Sequence, residues 1–319
     1  MSDKVIVFGA SGGVGSCVAI AAHQRGVQVV LALRDPQKPI PGLSPEEESS
    51  GNYERVQADL TKPETVRAAV TKTGAKRAFT YLAHGSPDHM RATFTALKEG
   101  GIEFVVFLSG LLVSALAPKF DDLAGIPQSS ALAYPHAQAE IALDGVFGAG
   151  NYVVARSGVF ATNLMFYKAM ISAGKVRMPS PDAKCDYIAA GDIGAVCSAV
   201  LAKGPAAVEK GTRSVNLCGP RLISQQDAVR EVARAIGKEV EISGFDSEQE
   251  AIRFYVETMG QSEPHARGIV TTHRDLASAD NMFAKVNYEE AIANVRKYGH
   301  KEATKFEDWL ETNKARFLA

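Results

Sequence analysis

The chain has 319 residues, 46% of them hydrophobic and 22% charged, with a formal net charge of −1. These proportions fit an ordinary soluble globular protein, long enough to bury a large core as one big domain or two modest ones. A balance so near zero gives no global attraction to nucleic acid or acidic membranes, and no apolar run reaches membrane-spanning length, so neither partner is expected.

In chain order, Val5-Ile6-Val7-Phe8 is an apolar strand leading into Gly9-Ala10-Ser11-Gly12-Gly13-Val14-Gly15. A helical pattern follows from about Val14 to Arg25 and stops at Gly26, a C′ glycine. Glycines let the turn reach φ > 0 and let a phosphate approach the backbone, while the helix N-terminus offers unpaired N–H groups to a pyrophosphate. Strand, glycine turn, helix and a second strand about 20 residues on together predict a dinucleotide site. That second strand, Val27 to Leu33, is apolar enough to be covered on both faces. A loop from 35 to 52 follows, whose Glu46-Glu47-Glu48 run is expected to be a solvated face. Tyr53 to Ala58 is a third strand ending at Asp59-Leu60. Thr61-Lys62-Pro63-Glu64 has the form of a capping box with proline just inside the helix. Strand Ala78 to Ala83 runs into His84-Gly85-Ser86-Pro87, then helix 88–99 and strand Ile102 to Leu108, ending at Ser109-Gly110. Helix 136–148 and strand Tyr152 to Arg156 continue the rhythm.

Such β-α alternation with short connections predicts a doubly wound parallel sheet with right-handed crossovers. Cofactor contacts then belong at the carboxyl ends of the strands: Gly9 to Gly15, Arg34, Asp59-Leu60, Ala83-His84-Gly85 and Ser109. Past Arg156 the rhythm loosens. Ser157 to Pro181 is a turn plus a short helix, Asp192 is a candidate N-cap for the next helix, and Ser214 to Cys218 is a strand. Ser224 caps helix 225–236, a strand lies near Glu239 to Ile242, Ser247 caps another helix, and Ala303 to Phe317 is an apolar-faced helix carrying Phe306, Trp309, Leu310 and Phe317. The expected organisation is a dinucleotide-binding domain over 1–156, completed by about 188–218, with 157–187 and 219–319 forming a smaller α/β substrate lobe.

The end of the second strand separates the two nicotinamide dinucleotides. Arg34 and Lys38 flank the adenosine ribose position and favour a 2′-phosphate, which arginine grips through its planar fork. Asp35 argues for a plain ribose. NADP(H) is the expected cofactor. The four cysteines, Cys17, Cys185, Cys197 and Cys218, lack any C-x-x-C spacing and are expected as reduced core residues of a cytosolic protein, without a disulfide framework or metal site. The N-terminus enters the first strand directly, so no signal peptide is expected.

VFGASGGVG, the R-x-x-x-K after the second strand, QADL, LSG, HAQAE, RSGVFATNL and DYIAAGDIGAV occur in the order seen in NmrA-like proteins. The chain resembles this group of atypical short-chain dehydrogenases/reductases, which are also similar to isoflavone and quinone reductases. The resemblance implies a Rossmann domain, NADP(H), a pocket between the lobes, and cofactor contacts that include Gly158 and Phe160 of RSGVFATNL. It also implies divided function, because some members reduce quinones or other unsaturated small molecules while others sense cofactor redox state.

Short-chain dehydrogenases resemble one another in a Ser, a Tyr and a Lys four residues after the Tyr. Ser109 and Tyr134 match the first two, and Gln138 stands at the lysine position. Gln138 can hydrogen-bond a ribose but supplies no positive charge beside the phenol. Tyr134 and Ser109 are thus candidate catalytic residues, and His136, titratable near neutrality, is the alternative acid. His84, Phe160, Asn163 and Tyr187 are candidate substrate contacts. The expected function is NADP(H)-dependent reduction of a small hydrophobic carbonyl, quinone or conjugated alkene by a monomer or homodimer. A redox-sensing regulator and a redox-neutral isomerase or cyclase are the alternatives.

Overall fold

The computed structural model describes residues 4–51 and 53–318. Its centre is a seven-stranded sheet built from β1 (Lys4–Phe8), β2 (Gln28–Leu33), β3 (Tyr53–Gln57), β4 (Arg77–Tyr81), β5 (Phe104–Gly110), β6 (Tyr152–Ser157) and the edge strand Ser214–Leu217. Their order is β3-β2-β1-β4-β5-β6-edge, and every pairing is parallel. β1 lies between β2 and β4, so strand order reverses there and a crevice opens beyond its carboxyl end. This is the Rossmann-like doubly wound sheet that the β-α rhythm predicts.

The strands are apolar on both faces because both faces are covered. Val5, Val7, Val29 and Leu31 pack with Val18, Ala19, Ile193 and Val196 on one side. Ile6, Phe8 and Val30 pack with Val66, Phe94 and Leu143 on the other. Helices Gly13–Gln24 and Ala190–Lys203 cross closely because of Gly194, where an added Cβ would fall 2.5 Å from the Cys17 Cβ. A third core, with Leu164, Tyr167, Cys185, Tyr187, Val229, Phe306 and Trp309, gathers the C-terminal elements. Short strands Lys175–Arg177 and Glu241–Ser243 pair there in parallel, and Lys184–Cys185 pairs antiparallel with Ile223–Ser224. All four cysteines are free.

Several local expectations are corrected. The loop after β2 contains a helix, Pro45–Ser50, capped by a reciprocal box between Ser44 and Glu47. Its Glu48 pairs with Arg55, so the acidic run is only partly a solvated face; Asn52, at the end of that loop, lies outside the described residues. Helix Pro63–Thr73 starts at its proline as expected, but no side chain caps it. Thr61 turns back instead, its N–H and hydroxyl donating to Asp59 at 2.9 and 2.8 Å. Asp192 does not cap helix Ala190–Lys203: it lies buried in the first turn and accepts from the N–H and hydroxyl of Thr304 at 2.7 and 2.6 Å. The Lys301 ammonium also donates to it at 2.5 Å, so the buried carboxylate is satisfied by three donors on the C-terminal segment and not by its own helix end. The last apolar segment breaks at Lys314 into helices Phe306–Asn313 and Ala315–Leu318.

Candidate active site

The glycine turn is built by contact as well as by torsion. Gly9 has φ +69°, and an added Cβ would fall 2.4 Å from the Tyr81 ring, at the carboxyl end of β4. At Gly15 a Cβ would fall 2.2 Å from the Gly9 carbonyl oxygen. Gly12 N–H closes the turn on that same carbonyl at 2.8 Å. Helix Gly13–Gln24 begins with no side-chain cap and no acidic residue in its first turn, and a Cβ at Gly13 would meet nothing within 4 Å. Exposed N–H groups, a positive helix end and open space beside Gly13, with Ser11 and Val14 flanking it, form a cradle that fits a pyrophosphate.

Arg34 is exposed at the end of β2, and its backbone carbonyl accepts from Gln57 at 3.1 Å. One oxygen of the exposed Asp35 carboxylate is taken by the Gln37 N–H at 2.9 Å. Arg55 donates to the Lys38 carbonyl at 2.8 Å and to that of Pro36, pinning the loop that carries Lys38. Nothing in an isolated arginine on the third strand signals this role. Thr61 donation, with the positive charges of Arg34 and Lys62 nearby, holds the Asp59 carboxyl below its usual range. Leu60 is buried, and its carbonyl accepts from Thr93 at 2.8 Å. The residues present thus fit an adenosine bearing a 2′-phosphate.

Beyond the ends of β4, β5 and β6 lies a cavity of about 460 Å³. His84, Ser109, His136, Gly158, Phe160, Asn163 and Tyr187, all singled out from the sequence, line it. None of the described residues lining it is Asp, Glu, Lys or Arg. Tyr134 does not line it. Its ring stands edge-on to His89 at 5.7 Å, on the wall of a second cavity of about 280 Å³ that includes Ala83, His84 and Gly85. Ser109 and Tyr134 are therefore not brought together in one cavity, and half-buried Gln138, one turn on, lines neither. The helix bearing Tyr134 starts at Ala133, which puts Pro135 in the first turn, where a missing N–H costs no bond.

Ser109 is held from behind. Its hydroxyl donates to Glu140 at 2.7 Å, and Glu140 accepts from Arg156 on both carboxylate oxygens. Arg156 also donates to Ser114 at 3.0 Å, and Ser114 to Asn216 at 2.6 Å. The Glu140 side chain has no exposed surface. This buried network joins β5, β6, the Ala133–Phe147 helix and the edge strand.

His136 corrects the expectation of an acid titrating near neutrality. Its Nδ1 is buried with no partner, and burial, followed by the fields of His84 and His265, pushes its pKa down to about 3. The ring is therefore a neutral imidazole. Burial does the same to His273, down to about 4, and its Nδ1 is likewise buried and unpartnered. His84 and His265 meet edge-on at 5.5 Å, and burial lowers both. Four histidines thus line one cavity, yet among the described residues no cluster of three or more His, Cys, Asp or Glu is arranged to hold a metal.

Two of these histidines, His265 and His273, sit on helix Glu263–Leu276, which lies outside the elements expected from the sequence. Pro264 just inside a helix start and the spacing of His265, Ile269, Thr272 and Leu276 were the available signals.

Asp186, which does not line the cavity, holds the Gly158–Val159 stretch of its wall from behind. Its carboxylate accepts the Val159 N–H at 2.7 Å and the Gly219 N–H at 2.9 Å. A Cβ at Gly158 would fall 2.1 Å from that carboxylate, so this glycine is required by Asp186. Burial pushes Asp186 up to about 7 against the backbone donors that favour its charged form. Next to it, Tyr187 takes φ +39°, a left-handed conformation costing roughly 1 kcal/mol in a bulky residue. Its ring packs 5.7 Å from Phe306.

Residues 9–203 match a family model described as NAD(P)H-binding. The chain is 33% identical over 330 residues to the nitrogen metabolite regulation-like protein bik4 of Gibberella fujikuroi, an alignment covering 99% of this chain and 98% of that protein. Among solved structures it is similar to the NADPH-dependent quinone oxidoreductase QOR2 of Escherichia coli complexed with NADPH, with TM-score 0.70, 18% identity and coverage of 97% and 99% of the two chains. It is also similar to the triphenylmethane reductase of Citrobacter sp., with TM-score 0.70, 14% identity and coverage of 99% and 100%. At such identities these two structures share the fold.

Proposed function

The chain belongs to the NAD(P)H-binding family, in its nitrogen metabolite regulation-like (NmrA-like) branch, and on that premise we propose that it is an NADP(H)-dependent reductase of a small hydrophobic carbonyl, quinone or conjugated alkene. One observation carries this reading: an uncharged cavity of about 460 Å³ opens beyond the strand ends next to the glycine turn. A cavity of that size with few polar groups is the form that small-molecule sites take.

In this reading the backbone N–H groups of Ser11, Gly13 and Val14 hold the pyrophosphate, with Gly9, Gly12 and Gly15 keeping the turn tight. Arg34 and Lys38 hold the 2′-phosphate, which selects NADP(H) over NAD(H). When bound, the nicotinamide supplies a hydride. Phe160 and Tyr187 wall the substrate, and Asn163 meets its polar edge. His136, a neutral imidazole, hydrogen-bonds the substrate oxygen through Nε2, the ring nitrogen other than its buried Nδ1, without bringing a charge into the site. The proton then comes from water or through His84, which is exposed at the cavity mouth. Ser109 offers its oxygen as an acceptor, since its hydrogen belongs to Glu140. An assay following NADPH absorbance over a panel of quinones and enones tests the proposal. Tight cofactor binding with no oxidation by any member would remove it.

A second reading, a non-catalytic sensor of cofactor redox state, is favoured by the separation of Tyr134 from the cavity that holds Ser109. Unequal affinity for NADP⁺ and NADPH without turnover would support it.

A further inference from the structure

Tyr167, Gln225 and Tyr255 also line the cavity, and their hydrogen bonds run in one direction. The Gln225 amide nitrogen donates to the carbonyls of Pro179 and Ser180 at 2.8 and 3.1 Å, which uses both its hydrogens and fixes the amide's orientation. Its oxygen can then only accept, and it accepts from the Tyr167 hydroxyl at 3.2 Å. With that hydrogen committed, the 3.4 Å contact between the two phenols can be made only by Tyr255 donating to Tyr167. The chain therefore ends on the Tyr255 oxygen, which has given up its hydrogen and keeps lone pairs at the cavity wall. Among the described residues no donor to that oxygen is present.

We infer that Tyr255 is the acceptor of a distinct polar subsite, which binds a hydroxyl group on an uncharged substrate. Two features define the class. The terminal group is expected to donate, because a carbonyl or ether could take a hydrogen from Tyr255 only by breaking its donation to Tyr167. The body must be neutral, because no Asp, Glu, Lys or Arg lines the cavity to offset a charge. This rests on the reading of the cavity as the substrate pocket and adds to it a recognition element away from the reacting carbonyl or alkene.

The test uses the full chain saturated with NADP⁺ and three probes: para-hydroxychalcone, its methyl ether and the para-carboxylate analogue. Calorimetry is expected to show the hydroxyl compound binding about three- to tenfold more tightly than the methyl ether, the span of one net hydrogen bond. The carboxylate is expected to bind at least about tenfold more weakly than either. Tyr255→Phe is expected to abolish the hydroxyl preference while leaving the methyl ether and NADP⁺ affinities unchanged, which also shows that the variant is folded. Equal binding of hydroxyl and ether by the wild type, or a preference that survives Tyr255→Phe, overturns the subsite. NADPH oxidation by the ether with no hydroxyl preference would remove the subsite and keep the reductase. A hydroxyl preference in binding without any oxidation would do the reverse.

Discussion

Ser109 donates its hydroxyl hydrogen to Glu140 across 2.7 Å, and both residues are shut away from solvent. The serine that matches the catalytic position of short-chain dehydrogenases is thereby tied into a structural ion pair with Arg156. The two roles separate by mutation. Glu140→Ala leaves a buried guanidinium without its counter-charge and is expected to cost about 3–5 kcal/mol of stability in denaturant unfolding. Ser109→Ala is expected to cost only about 1 kcal/mol and to keep NADPH turnover within a few-fold of wild type.

Arg34 is exposed, and its side chain is not needed by the fold. Arg34→Ala is expected to raise the NADPH dissociation constant about tenfold, leave NADH binding unchanged and leave the melting temperature within a degree or so. Equal weakening of both dinucleotides, read by calorimetry, would mean that the guanidinium does not read the 2′-phosphate.

His273 makes stability depend on acid in a stated direction. Its pKa is about 4 in the native chain against an ordinary value of 6.5. Between those values the unfolded chain takes up a proton that the folded chain refuses, so stability is present above about pH 6.5 and is lost as pH falls toward 4. His136, at about 3, acts in the same sense. His273→Leu is expected to flatten the fall, relative to wild type, by about 1.4 kcal/mol per pH unit in mid-window. Parallel stability–pH curves for the two proteins would contradict this.

Asp186 acts in the opposite sense. Its native pKa of about 7 lies above the ordinary 3.8, so the folded chain keeps a proton that the unfolded chain has released, and stability falls as pH rises through that window. Asp186→Asn removes this slope. It also turns an amide NH₂ toward either Val159 or Gly219, whose N–H groups both need acceptors. The expected cost is about 2 kcal/mol, largest at low pH, measured by urea unfolding at several pH values.

What was legible in the sequence was what local chemistry dictates. The glycine turn, the parallel strands and the caps at Ser224 and Ser247 follow from short-range pattern, and they stand in the structure as expected. Lost were residues whose partners sit on a different element. Asp192 looks like a cap until Thr304 arrives from the C-terminus, and Glu48 looks solvated until Arg55 folds back on it. The cavity shows the same division. His84, Phe160, Asn163 and Tyr187 follow strand ends and line it, whereas Tyr167, Gln225, Tyr255 and His273 reach it only by tertiary packing. Tyr134 matched a motif by position, but its ring faces His89 instead.

The reductase claim is tested most directly by mixing the purified chain with NADPH and a neutral two-ring quinone or enone and following the cofactor's absorbance. The expected result is oxidation that saturates in substrate, is lost when a carboxylate is attached to the same ring system, and is slowed at limiting NADPH by Arg34→Ala. No oxidation of bound NADPH by any neutral quinone or enone would contradict it.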